Sequence, residues 1–204
     1  MNKLVKDALT LTVITVVAGA ALGLVHEITL DPIAKAQEAT KQEAYKTVFE
    51  SAETFTDLEG FDADAATKIV NEAGYVNDEI TGCVVANDAS GNACGYVITV
   101  LTHDGYGGDI NFSVGITNDG VINGYSMLEI SETPGLGMKS TEEKFMSQFN
   151  GIKAQTLTVT KTGKTSEAEI DAISGATITS KSVTNGVNAS VEYFNSIAGG
   201  GANE

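Results

Sequence analysis

The sequence predicts an α+β domain, a mostly antiparallel sheet with packed helices, preceded by one N-terminal transmembrane helix. Three observations carry this prediction. Residues Ala8 to Val25 contain no charge. From Gly74 to Ile130, short runs rich in β-branched and aromatic residues alternate with Gly, Asn and Asp turns. Near the C-terminus, Val183, Val187, Val191, Phe194 and Ile197 recur at helical spacing. Strands in series with a helix to cover them give an α+β arrangement.

The uncharged run, at about 1.5 Å rise per residue, reaches roughly 27 Å, close to the hydrocarbon thickness of a bilayer. Lys3 and Lys6 precede it. That positive charge puts the N-terminus in the cytoplasm and everything after His26 outside. Ala18-Gly19-Ala20 also resembles a cleavage site, so a removed signal peptide is the rival reading. The run continues through Val25, longer than a signal core requires, which favours an anchor. Gly19 and Gly23 form a G-x-x-x-G pair that lets another helix pack closely.

Asp31-Pro32 starts a second helical stretch, with Pro32 in its first turn. Ile33, Ala36, Ala39, Tyr45, Val48 and Phe49 form its uneven apolar stripe. Phe55 to Lys68 is acidic and poorly patterned, and reads as loop with short structure. Gly82–Ala86 and Gly95–Thr102 read as strands, followed by Gly105-Tyr106-Gly107-Gly108, which no regular strand tolerates. Asp109–Thr117 and Val121–Ile130 flank Asn118-Asp119-Gly120, a hairpin signal. Ser140-Thr141-Glu142-Glu143 matches a capping box, with Phe145, Met146 and Phe149 on the apolar face of the helix behind it. Leu157–Thr160 and Glu169–Ile173 read as two more strands, and the last helix follows Ser180. These elements divide into a cytoplasmic N-terminus and anchor (residues 1–30), a lead-in helix and connecting segment (31–72), an extracytoplasmic domain (73–198) and a disordered tail (199–204).

The formal net charge is −15, which argues against a nucleic-acid partner because a phosphate backbone is repelled. Arginine is absent, so lysines or backbone amides must serve wherever an anion is gripped. An acidic surface suits solubility and also a basic partner face. The two cysteines, Cys83 and Cys94, form no C-x-x-C pair, which argues against a zinc or iron–sulfur site on this chain. They flank the turn-rich Asn87–Asn92. A hairpin centred between Asp88 and Ala89 sets the two thiols opposite each other, within reach of a disulfide outside the cytoplasm. A pair of small buried thiols is the alternative. His26 and His103 stand alone and read as surface or interfacial histidines, and no metal site is expected.

Two short motifs carry chemistry. Ser174-Gly175-Ala176-Thr177 follows Asp171 and leads into the C-terminal helix. Small residues let a ligand approach the backbone, helix-start amides favour an anion, and a threonine hydroxyl there can carry a phosphate. A plain strand-to-helix turn, with Thr177, Thr179 or Ser180 as N-cap, is the competing reading. The second motif, Glu132-Thr133-Pro134-Gly135-Leu136-Gly137, fits a type II turn at Pro134-Gly135.

Together with Gly105-Tyr106-Gly107-Gly108, these motifs resemble the FMN-binding subunits of bacterial redox-driven ion pumps, above all the G subunits of Rnf (Rsx) complexes. The C subunits of sodium-pumping NADH:quinone reductases share the motif but are usually longer. The resemblance implies covalent FMN on Thr177 through a phosphoester, attached by a separate flavin transferase that uses FAD. It implies that Asp171, Ser174, Gly175 and Ala176 are ligand or transferase contacts, with Thr179 a lesser candidate acceptor. It sets Glu132, Thr133, Gly135, Leu136 and Gly137 beside the isoalloxazine ring. A histidine frequent in that family falls here at Ile130, so its role does not carry over. The implied function is an electron-carrier subunit, not a catalyst alone, in a membrane ferredoxin:NAD+ oxidoreductase coupled to sodium or proton translocation. Its partners are the other Rnf subunits, including integral membrane ones. A membrane-anchored binding or scaffold module without a redox group is the alternative from another class.

Overall fold

The computed structural model describes residues 2–199 and divides the chain between Lys41 and Gln42 into two units. The first unit is helical. Helix α1 runs Lys3–Val48 and passes through Pro32 without ending. A separate helix starting at Asp31 is therefore corrected. Proline removes one hydrogen bond, but the helix formers on its C-terminal side, Ala34 to Glu38, carry the helix on. Within the apolar stretch the hydroxyls of Thr10, Thr12 and Thr15 donate to the carbonyls of Lys6, Ala8 and Leu11, each at 2.9 Å. The stretch thus presents few free polar groups, as a lipid environment demands. It is long and apolar enough to cross a membrane.

The second unit begins with the last turn of α1, which buries Ala44, Tyr45 and Val48. Strand β1 (Thr54–Asp57), helix α2 (Ala63–Glu72) and strands β2 (Asp78–Asn87), β3 (Ala93–Thr102), β4 (Ile110–Thr117) and β5 (Val121–Ile130) follow. Helix α3 (Glu143–Met146) is a single turn. Strands β6 (Ile152–Lys153), β7 (Thr158–Thr160) and β8 (Glu169–Asp171) precede helix α4 (Thr177–Gly199). Strands β1 to β6 pair antiparallel in sequence order in one six-stranded sheet, while β7 and β8 pair parallel in a small sheet of their own. The tail expected to be disordered splits: Gly199 closes α4, and residues 200–204 lie outside the described residues.

The large sheet is covered on both faces, and alternation along β3 shows how. Ile98 and Val100 join the main core with Phe112, Val114, Val183 and Val187. Val97 points the other way, into a smaller cluster with Tyr45, Val48, Phe49 and Val84. α4 lies so close that a Cβ on Gly186 would stand 2.6 Å from Phe112 Cζ. Asn188 on α4 donates to Leu157 O at 2.9 Å and accepts from Leu157 N at 2.8 Å, tying the approach to β7 onto the helix.

Three further expectations are corrected. The stretch read as loop with short structure, Phe55 to Lys68, holds most of the short strand β1, but its second half belongs to α2, a full ten-residue helix. The latter is capped by Asp62, whose side chain accepts from Ala65 N at 3.0 Å, and buries only Ala66 and Val70. The capping box does not form: Ser140 Oγ donates to Gly137 O and Thr141 Oγ1 to Met138 O inside a 3-10 turn, Gly137–Thr141. The cysteines do not face each other. The hairpin turns about Ser90 with Asn87 opposite Ala93, and Cys94 falls in the register shift before Gly95, so Cys83 stands opposite Ile98. Both thiols are free.

Candidate functional site

Both motifs fold as β-turns with a glycine in the left-handed region. Leu136 N donates to Thr133 O at 3.1 Å and Gly135 has φ +76°, the geometry of a type II turn around Pro134-Gly135. Ala176 N donates to Ile173 O at 2.9 Å and Gly175 has φ +78°, so Ser174-Gly175 turns the chain in the same way. The second turn is held from both sides. Ser180 Oγ accepts from Ile173 N at 2.9 Å and donates to Ala176 O at 2.8 Å. The side-chain amide of Gln148 accepts from Asp171 N at 2.7 Å and donates to Asp171 O at 3.3 Å. None of Thr177, Thr179 and Ser180 acts as an N-cap: α4 begins at Thr177 itself.

The two turns face each other across a cavity of about 390 Å³, within the usual size range of small-molecule sites, about 300–1,000 Å³. Of the residues predicted from sequence, Glu132, Thr133, Leu136, Gly137, Gly175, Ala176 and Thr177 line it, together with Tyr106, Ile178 and Thr179. Thr177 is partly exposed, and among the described residues its hydroxyl has no hydrogen-bond partner. Thr179, the lesser candidate acceptor, is 1 % exposed. Tyr106, Leu136 and Ile178 are 70 %, 43 % and 52 % exposed and give the mouth an apolar rim.

Glu132 is the buried charge of the site. It is 6 % exposed, and its Oε1 accepts from Tyr106 N at 2.7 Å, which fastens the Gly105–Gly108 loop to the Thr133–Leu136 turn. Close approach is required here. A Cβ on Gly107 would collide with Ser131 O, and one on Gly137 would lie 2.8 Å from Glu132 Cβ. Beneath the 3-10 turn, Tyr125 donates its hydroxyl to Ser140 O.

Asp171 and Ser174 are set apart from this cavity. They line a neighbouring cleft of about 470 Å³ with Lys139, Lys144, Lys164, Gln148 and others. Gly135 shapes its turn without lining either space. Tyr106 was visible in the sequence as an aromatic among glycines. Ile178 and the depth of Thr179 were not, because helical phase at the start of α4 cannot be read from small residues. His103 proves to be partnered: Nδ1 lies 2.9 Å from Asp109 Oδ1 and Nε2 3.4 Å from Glu79 Oε1. The hydrogen bond to Asp109, helped by Glu79, holds its imidazole above the usual pKa. The pair clasps the base of the Tyr106 loop.

The arrangement can bind a flat, partly apolar ligand with an anionic end. Residues 105–192 match the FMN-binding domain family, and residues 1–48 match the RnfG N-terminal region. The G subunit of the Na(+)-translocating ferredoxin:NAD(+) oxidoreductase complex of Acetobacterium woodii is 35% identical over 195 residues, covering 95% of this chain and 92% of its own. The G subunit of the proton-translocating ferredoxin:NAD(+) oxidoreductase complex of Clostridium ljungdahlii is 31% identical, covering 93% and 91%. Among solved structures, the C subunit of the Na(+)-translocating NADH-quinone reductase from Parabacteroides distasonis matches with a TM-score of 0.55 at 24% identity. The match covers 81% of this chain and 96% of that one and bears on the fold alone.

Proposed function

Since the chain belongs to the family of G subunits of Rnf-type ion-translocating oxidoreductase complexes, we propose that it carries FMN as an electron-transfer subunit of a membrane ferredoxin:NAD+ oxidoreductase. The complex couples electron flow to the movement of sodium ions or protons. The FMN is joined to Thr177 by a phosphoester.

One observation carries the site. Two turns far apart in sequence converge on one cavity, and the threonine at its edge is partly exposed with an unengaged hydroxyl. The residues present fit the group. Glycines leave backbone bare where the turns approach, the α4 start offers amides to a phosphate, and the rim of Tyr106, Leu136 and Ile178 offers apolar surface to a ring. Bound there, FMN supplies one- and two-electron transfer, tuned by neighbouring charge and hydrogen bonds.

Thr177 does not attach it unaided. A threonine hydroxyl is a weak nucleophile without a base, and Glu132, the carboxylate lining the cavity, already holds the Tyr106 amide. A separate flavin transferase makes the Thr177 Oγ–phosphorus bond and breaks the diphosphate of FAD. Asp171 and Ser174, in the adjoining cleft, are then contacts for that enzyme. Residues 1–30 anchor the chain with the N-terminus in the cytoplasm, residues 31–72 lead outward, and residues 73–198 work outside the membrane beside the other Rnf subunits. The charge-free run and the lysines before it support this orientation.

Flavin fluorescence of denatured full-length protein, made with the transferase present, tests the assignment. Wild type should fluoresce and Thr177→Ala should not. Fluorescence retained in Thr177→Ala and lost in Thr179→Ala overturns the acceptor. A non-fluorescent wild type overturns the covalent link.

A further inference from the structure

Residues 103–109 join β3 to β4, and Tyr106 among them reaches the mouth of the cavity. The last rung of the β3–β4 ladder pairs Thr102 with Ile110. His103 and Asp109 are the first residues beyond it, and the ring Nδ1 lies 2.9 Å from Asp109 Oδ1, closing the base of the loop like one more rung. Nε2 lies 3.4 Å from Glu79 Oε1 on the neighbouring strand β2, and His103 N donates to Asn77 O at 2.9 Å. The Asn77 side chain donates to Asp104 Oδ1 at 2.8 Å. At the tip of the loop, Tyr106 N donates to Glu132 Oε1 at 2.7 Å. Apart from Tyr106, the residues between Asp104 and Asp109 are glycines, whose backbone resists displacement little by itself.

The tie at the base depends on one proton. An imidazolium has two N–H donors and satisfies both carboxylates, whereas a neutral ring has one donor and leaves the second carboxylate without a hydrogen bond. Carboxylates crowd this ring. Glu79 on β2 and Asp109 before β4 touch it, Asp104 follows it in the chain, and Asp78, 2 % exposed on β2, feels its charge. Because the Asp109 hydrogen bond and Glu79 hold the charged form up, the stabilisation is whole below the ordinary value of 6.5 and fades as pH rises through the raised one. The three side chains are between 40 % and 60 % exposed, so solvent screens each contact. Contacts of that strength are too weak to decide whether the domain folds, and strong enough to decide where a glycine loop rests.

We infer that His103, as an imidazolium between Asp109 and Glu79, is the positioning residue that holds the Gly105–Gly108 loop in place, and that loss of its proton loosens Tyr106 at the mouth of the cavity. His103 does not line the cavity and acts through the loop. A flavin bound there is shielded from solvent while the ring is charged and becomes more accessible as the ring is neutralised. The loop's response to pH belongs to the ligand-free chain as well; only its effect on a flavin rests on the function proposed above.

The test follows hydrogen exchange of the peptide carrying residues 103–109 in the full-length chain in detergent, from about pH 6 to about pH 9, corrected for the intrinsic pH dependence of exchange. In flavin-free protein its protection should fall about fivefold as pH rises, the worth of one exposed ion pair, with a midpoint above 6.5. The hairpin peptide around Asp119-Gly120 should not change. His103→Gln should begin at the lower protection and stay level across the range. Asp109→Asn keeps an acceptor but no charge, so its midpoint should move down toward 6.5. A histidine that merely fills space gives neither the fall nor the shift. In flavin-loaded protein, quenching of flavin fluorescence by acrylamide should rise with the same midpoint in wild type and be independent of pH in His103→Gln. A level wild-type exchange profile, an equal fall in His103→Gln, a fall shared by the hairpin peptide, an unmoved midpoint in Asp109→Asn, or quenching in loaded wild type that ignores pH each overturns the inference. A wild type that carries no flavin after maturation overturns the function proposed above and leaves the exchange profile standing. A level exchange profile in a chain that does carry flavin does the reverse.

Discussion

Gly137→Ala should destabilise the domain through one identifiable side chain. Gly137 does not have a positive φ, so alanine suits its backbone and the whole effect falls on what its methyl meets. The new Cβ would lie 2.8 Å from both Cβ and Cδ of Glu132 and nearer still to Oε2. Glu132 is 6 % exposed and holds Tyr106 N through Oε1 at 2.7 Å, so moving it costs that bond as well. Overpacking costs about 1–3 kcal/mol and a hydrogen bond to a charged group about 1.5–3 kcal/mol, together roughly 3–5 kcal/mol. In a chain of this length that corresponds to a fall in melting temperature on the order of 10 °C, measured by circular dichroism in detergent. A double-mutant cycle isolates the cause. In a Glu132→Gly background, which removes the Cβ as well as the carboxylate, the same substitution should cost under about 1 kcal/mol, a coupling of about 2 kcal/mol or more. A melting temperature within about 2 °C of wild type, or additivity within about 0.5 kcal/mol, refutes the steric argument.

Two further outcomes are expected. Burial pushes Asp78 up to about 6 from its ordinary 3.8. The folded chain therefore keeps a proton that the unfolded chain has lost, so this group's contribution is whole at low pH. On the order of 3 kcal/mol of it disappears as pH rises from about 4 to about 6. Asp78→Asn should gain about that much in urea unfolding near pH 8 and almost nothing near pH 4, and an equal gain at both contradicts the assignment. For the cysteines, mass mapping of oxidised protein should find no Cys83–Cys94 link. Cys94 should alkylate readily while Cys83, 3 % exposed and with its thiol pushed up to about 12, stays inert; a linked peptide contradicts the observed register.

Strands β2 to β5 were legible because turn residues bound them: Asp119-Gly120 closes the β4–β5 hairpin where the sequence says it should. Both motifs were legible as turns, since each has a glycine where positive φ is needed, Gly135 behind the fixed φ of Pro134 and Gly175 behind Ser174. The cysteine pairing was not legible. The turn centres on Ser90 and not between Asp88 and Ala89, which alone offsets the pairing by three residues, and the extra residue at Cys94 adds one more. α2 was hidden because only Ala66 and Val70 of its ten residues are buried, too few to mark a stripe. The partition of the site was hidden as well. Nothing in the run from Asp171 to Thr177 says that its first half opens on a lysine-lined cleft and its second on the Glu132 cavity, because Gln148, far along the chain, sets that boundary.

The strand order of the main sheet, each strand beside its predecessor, has a consequence for biogenesis. A meander can zip up from its first hairpin as the chain emerges, since every pairing joins neighbours along the polypeptide. The ligand chamber has no such head start. One of its walls is complete by Gly137, but the opposite one is the start of α4, made about forty residues later as the last helix among the described residues. A nascent chain truncated ahead of that segment would own a nearly finished sheet and still have nowhere to lodge a prosthetic group.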